Sequence, residues 1–167
     1  MNSIRPYRPD DFNACLAIIN DGAQAYKGVI PSDRWHEPYM TREYLQNEIE
    51  KGVRFWVYEK DGIPIGVMGI QDVQNVTLIR HAYVQTAHRQ KGIGGKLLTF
   101  LMEKTERPIL IGTWSSAHWA IRFYEKYGFK MVSDTEKNLL LRTYWSIPER
   151  QVETSVVLVN ERWKGFK

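Results

Sequence analysis

Between Arg89 and Gly95 the chain reads Arg-Gln-Lys-Gly-Ile-Gly-Gly, with three glycines in four positions. With few Cβ atoms in the way, the backbone N–H groups of such a turn stay open to a ligand. A helix that follows it adds unpaired N–H groups and a partial positive charge, so a pyrophosphate can collect several hydrogen bonds there. No acidic residue occurs from Val73 to Met102, a stretch that holds Arg80, Arg89, Lys91 and Lys96. The whole chain has 23 basic and 19 acidic residues, so those four cations account for its entire excess of +4. A local excess suits one small polyanion better than a nucleic-acid face. The competing reading is a tight strand-to-helix turn with solvated basic side chains.

Two commoner phosphate motifs fail on spacing. A Walker A loop needs Ser or Thr after Gly95-Lys96 and a glycine five residues before Gly95, where the chain has Leu97 and Gln90. A dinucleotide fingerprint started at Gly92 needs a glycine at Leu97. A second candidate is Tyr124, which shares a helix face with the small residues Ala117 and Ala120 and with Ile121, leaving room beside its hydroxyl. Simple core packing is the alternative for that tyrosine.

The elements that position these residues follow from periodicity. Ser3–Tyr7 reads as a strand, and Asp10-Asp11 as the cap of a helix carrying Phe12, Cys15, Leu16 and Ile19 on one face. After an irregular stretch broken by Gly28, Pro31 and Pro38, a helix begins near Thr41 and stops at Gly52. Val53–Tyr58 and Ile63–Gln71 are strands joined by an Asp61-Gly62 hairpin turn, and Val76–Val84 is the third strand of the meander. Gly94–Lys104 is helical, Ile109–Thr113 is a buried strand, and Ser115-Ser116 offers a cap for a helix over 117–127. Phe129–Ser133 and Val152–Val159 are the last strands, with 134–151 as a connection holding one helical turn near Leu139–Arg142.

The segment from Ala82 through Gly94 resembles the acetyl-CoA-binding signature R-x-x-G-x-G of the GNAT superfamily of N-acetyltransferases, and Ala120–Phe129 is similar to its helix-to-strand motif. The resemblance covers about residues 1 to 133 and the final strand. It implies an α/β (α+β) fold in a single domain, 1–167: a mixed central sheet of about seven strands, an antiparallel N-terminal meander, splayed fourth and fifth strands, and helices on both faces. It further implies acetyl-CoA as cosubstrate, with no metal. Arg89, Gln90, Lys91, Gly92, Gly94 and Gly95 would hold the diphosphate, and backbone of Ala82, Tyr83 and Val84 would lie beside pantetheine. Tyr124 would stand near the thioester sulfur as general acid. Many members carry Asn where this chain has Ala117, which leaves Ser115 or Ser116 to supply that contact.

On this resemblance the expected activity is transfer of acetyl to a primary amine of a small molecule or peptide by direct attack on the thioester. The alternative is a module that binds acyl-CoA without catalysis. A free phenol is a weaker acid than a thiol, pKa about 10 against about 8.5, so full proton transfer is uphill by about 2 kcal/mol and hydrogen bonding to the thiolate is the lesser demand. The attacking amine must be neutral, and His81 is the first candidate base, with a structural histidine as the competing reading and His36, Glu37 and Glu43 as further options. The aromatic-rich segments Tyr26–Tyr44 and Asn138–Gln151 are candidates to line the acceptor pocket, where Asp33, Glu37 and Glu43 could attract a cationic amine.

At 167 residues with 43% hydrophobic content, the chain is expected to fold as one soluble globular domain. The single Cys15 and the lack of any zinc-ligand spacing fit a reducing cytoplasm better than a disulfide scaffold. No leader, membrane-spanning stretch or nucleic-acid partner is expected, and a homodimer is compatible with the sequence.

Overall fold

The computed structural model describes residues 1–166. Asp61 and Gly62 both take left-handed backbone, φ 52° and 81°, and this twist joins β2 (Arg54–Lys60) to β3 (Ile63–Val73) as an antiparallel hairpin. β1 (Asn2–Pro6) pairs with β2, and β4 (Val76–Val84) returns along β3, completing the expected meander. β5 (Ile109–Trp114) joins β4 in parallel, and β7 (Ser155–Val159) lies between β5 and the two-residue β6 (Lys130–Met131). The result is one seven-stranded sheet in the order β1-β2-β3-β4-β5-β7-β6.

Strand alternation sends residues to opposite faces, and both are covered. On one face, α3 (Ile93–Met102) buries Leu97, Leu98 and Leu101 against Met68, Ile79 and Ile111, with α4 (His118–Lys126) adding Tyr124. On the other, α1 (Phe12–Ala23) and α2 (Arg42–Glu50) bury Cys15, Ile19 and Leu45 against Val57 and Val67. α5 (Asp134–Tyr144) and α6 (Glu149–Glu153) extend that layer over Leu78, Leu110 and Val157. Fully burying such a side chain stabilises the fold by about 1.5–3 kcal/mol.

Three expectations need correction. Residues 134–153 hold two helices rather than a connection with one turn, so the last strand begins at Ser155 and not at Val152. α5 starts where Ser133 accepts the Glu136 N–H, and it turns Leu140, Leu141 and Tyr144 inward. Asp11 does not cap α1; its carboxylate accepts two bonds from the Arg5 guanidinium at 2.7 and 2.9 Å and one from the Arg8 N–H. A bidentate charged partner outcompetes the helix end. The Ser115-Ser116 cap is also absent: α4 begins after Ala117, whose N–H donates to the Trp114 carbonyl while that of Ser115 donates to Thr154.

Candidate active site

β4 and β5 are paired over three rows only, Thr77–Ile109, Leu78–Leu110 and Ile79–Ile111. Beyond them β4 stays with β3 and β5 with β7, so the two strands part. At the point of parting, β4 carries a bulge, with His81 and Ala82 facing the single residue Met68, and His81 takes φ 54°. The Thr77 N–H donates to Pro108 on the β5 side, whereas the Gln85 N–H donates to Ile65 on the β3 side. Alternation counted back from Gln85 turns the amides of Ala82 and Val84 into the gap. A cavity of about 880 Å³ opens there, lined by Ala82, Tyr83 and Val84.

The glycine turn closes one end of this cavity. Gln90 and Gly92 take φ 64° and 77°, and the N–H groups of residues 90–92 donate to no acceptor among the described residues. The first N–H groups of α3 add to them, since helix geometry gives those no partner. His88 Nδ1 is buried beside the turn, likewise without a partner among the described residues. Open amides, an orphaned imidazole nitrogen and the Arg89 side chain make this end fit the diphosphate of a coenzyme A, with Lys126 also on the wall.

Gly95 is required for a different reason: a Cβ there would lie 1.8 Å from the Tyr127 hydroxyl. Gly95→Ala therefore displaces Tyr127 from the base of the turn. We expect a loss of about 1–3 kcal/mol, read from the urea midpoint, together with weaker coenzyme A binding by calorimetry.

Tyr124 reaches the cavity from α4 and is only 8% exposed, its ring held by Phe123 and Phe129 at centroid distances of 5.2 and 6.2 Å. Burial pushes its phenol well above the ordinary value, with a smaller contribution from Tyr26, so the hydroxyl stays protonated at neutral pH.

His81 also lines the cavity, and its Nε2 is 2.6 Å from Glu48 Oε1. The same oxygen accepts from the Arg80 guanidinium at 2.6 Å, and Arg80 donates onward to Gln71. The His81 ring stacks on Phe55 and meets Tyr44 edge-on. Burial lowers the imidazole pKa, outweighing the pull of Glu48. Burial works to raise Glu48, but the His81 hydrogen bond and the Arg80 charge bring it below the usual carboxylate value. An ionised Glu48 accepts the Nε2–H of a neutral His81, which leaves the lone pair on Nδ1.

Another part of the cavity wall is aromatic. Tyr26 stacks on Trp119 and packs against Tyr39 and Tyr83, and the Tyr39 hydroxyl accepts from Trp114 Nε1 at 3.0 Å. Both expected acceptor segments contribute, through Arg34, His36 and Tyr39 on one side and Trp145, Ile147 and Gln151 on the other. The three acids expected to attract an amine do not line it: Asp33 pairs with Arg150, Glu37 with Lys27, and Glu43 lies elsewhere on α2.

The family model described as "Acetyltransferase (GNAT) domain" matches residues 20–141. The chain belongs to the GNAT acetyltransferase family. Among curated relatives of this GNAT chain, UPF0157 protein YqkA of Bacillus subtilis is 31% identical over 114 residues, 66% of this chain and 33% of that protein. N-acetylaspartate synthetase of Xenopus tropicalis is 31% identical over 107 residues, 60% of this chain and 40% of that one. The chain thus spans between a third and two fifths of the length of these relatives. The PaiA N-acetyltransferase of Thermoplasma acidophilum, solved in complex with coenzyme A, superposes with a TM-score of 0.71 at 19% identity over 96% of this chain and 98% of that one, a likeness of fold.

In this GNAT chain Ala82, Tyr83, Val84, Arg89, Gln90, Gly92, Gly94, Gly95, His81 and Tyr124 all line one cavity, whereas Lys91 and Ser116 are not on its wall. Sequence reading missed Glu48, whose only signal was a carboxylate on the apolar face of α2 between Leu45 and Ile49. It also missed Trp114 and Trp119, which carry no motif.

Proposed function

We propose that this chain, read as one domain over residues 1–167, is an acetyl-CoA-dependent N-acetyltransferase that passes acetyl to a primary amine by direct attack on the thioester. The observation that carries the reading is the parted β4–β5 pair, a groove that joins the open glycine turn to Tyr124 and His81. When bound, acetyl-CoA supplies a thioester whose carbon is open to attack and whose sulfur leaves as a thiolate.

Arg89 and the amides of residues 90–95 hold the diphosphate, and the open backbone of β4 receives the pantetheine amides as an added strand would be received. His81 Nδ1 takes the amine proton while Glu48 fixes the ring and its tautomer; the amides of Ala82 and Val84 face the charge that develops on the acetyl oxygen. Tyr124, too weak an acid to surrender its proton, donates a hydrogen bond to the departing sulfur. The one thiol, Cys15, is buried in the core, and no helix among the described residues is long and apolar enough to cross a membrane. The free thiol supports a reducing, cytoplasmic location in this reading.

Thiol release from acetyl-CoA across an amine panel, with mass spectrometry of the products, tests the proposal. Acetylated amine with stoichiometric thiol is expected; coenzyme A binding without turnover across the panel would instead mark a non-catalytic binding module.

The base is tested through pH. Because burial lowers the His81 pKa, the imidazole remains unprotonated at pH 7 and the acidic limb of kcat/KM falls below the ordinary histidine value of 6.5. His81→Asn, chosen because asparagine tolerates positive φ, should cut kcat/KM about 100-fold and abolish that limb. A limb that survives unchanged removes His81 as the base.

A further inference from the structure

The cavity wall carries no Asp or Glu among the described residues, yet it carries Arg34, Arg80, Arg89 and Lys126. Arg89 and Lys126 belong to the diphosphate end, and Arg80 is already engaged by Glu48 and Gln71. Arg34 is different. It ends the short turn Ser32–Arg34 and is followed by Trp35, which stacks on Tyr39, the residue bonded to Trp114 at the end of β5. That connection sets Arg34 beside the aromatic part of the cavity wall. Its Nε is buried and has no partner among the described residues. The carboxylates nearest in sequence are already occupied, Asp33 by a two-bond contact with Arg150 and Glu37 by Lys27.

A buried guanidinium N–H without an acceptor is costly in the free protein and becomes favourable when a ligand supplies an oxygen atom. The planar fork matches a carboxylate with two parallel bonds. A wall of arginines without acids also repels a polycationic acceptor. We infer that the acceptor is a small amino acid-type molecule carrying a carboxylate besides its amine, and that Arg34 receives this carboxylate while the amine is directed to His81. The inference rests on the acetyltransferase reading and narrows it to an acceptor class. Tyr26, Tyr39 and Trp119 then provide apolar walls for the side chain of that molecule.

The test compares acetylation of matched amines: L-phenylalanine against phenethylamine, L-leucine against isopentylamine, with spermidine and O-phosphoethanolamine as further arms. The carboxylate-bearing member of each pair should show kcat/KM about 10- to 100-fold higher, and spermidine should be the poorest acceptor. Arg34→Gln should collapse that ratio toward unity by raising KM for the amino acid, while KM for acetyl-CoA stays within about threefold; Arg34→Lys should recover part of the ratio. Thermal melting checks that both variants fold. Equal or better turnover of the decarboxylated amines or spermidine, or a ratio unmoved in Arg34→Gln, overturns the inference and leaves acetyl transfer standing. An Arg34-dependent preference for O-phosphoethanolamine overturns the carboxylate assignment. If no amine releases thiol, the acetyltransferase reading fails instead, and the inference is decided by calorimetry, where L-phenylalanine or L-leucine must bind the wild type and not Arg34→Gln.

Discussion

Tyr124→Phe should lower kcat about 100-fold, equivalent to about 2.7 kcal/mol of transition-state stabilisation, and should change coenzyme A affinity by less than about threefold. The ring, packed between Phe123 and Phe129, is retained in phenylalanine, so only the hydroxyl is lost. Its role is confined to the moment when the sulfur becomes a thiolate, because a thioester sulfur is a poor acceptor and a thiolate a good one. The effect should therefore appear in kcat and not in KM. Steady-state kinetics beside calorimetric binding separates the two. A kcat within about twofold of wild type would reduce Tyr124 to a packing residue.

Glu48→Ala should destabilise the fold by about 3 kcal/mol at pH 7, measured by urea unfolding. Glu48 is 5% exposed and accepts from both Arg80 and His81 through one oxygen, so its removal leaves a buried guanidinium without its anion. The pH dependence has a definite sign. A carboxylate whose folded pKa lies below the ordinary value of 4.5 contributes fully above that value and loses its contribution as pH falls through the folded pKa. The part of the stability gap between wild type and Glu48→Gln that comes from this carboxylate should thus be constant near neutrality and be lost only below about pH 4.5, the His81 titration adding its own change at higher pH. Glu48→Gln also separates positioning from packing. Without the negative charge that raises it, the His81 pKa falls further, so the acidic limb of kcat/KM moves to lower pH while the rate drops about 10-fold. A purely structural Glu48 would leave the limb in place.

The parts of this site that lay open in the sequence are those whose cause is local. The glycine turn is legible because its cations and glycines are contiguous, and the Asp61-Gly62 hairpin because two adjacent residues carry the required backbone conformation. The parting of β4 and β5 was expected only through the family resemblance, since nothing in either strand's composition announces it. The Glu48–Arg80–His81 cluster joins residues 32 and 33 positions apart, and the Asp33–Arg150 pair joins residues 117 apart. Such pairings are made by the fold, which explains why Asp33, expected at the acceptor, is engaged elsewhere. α5 was missed for another reason. Ser133 followed by Glu136 is a helix-start pattern, which the reading of 134–151 as a connection passes over.

The central claim is that coenzyme A threads the opening between β4 and β5. A crystal structure with coenzyme A bound tests it most directly. The diphosphate should sit on the N–H groups of residues 90–95, and the thiol should lie within hydrogen-bond reach of the Tyr124 hydroxyl. Density for the nucleotide on another surface, with the amides of Ala82 and Val84 facing solvent alone, would contradict the account.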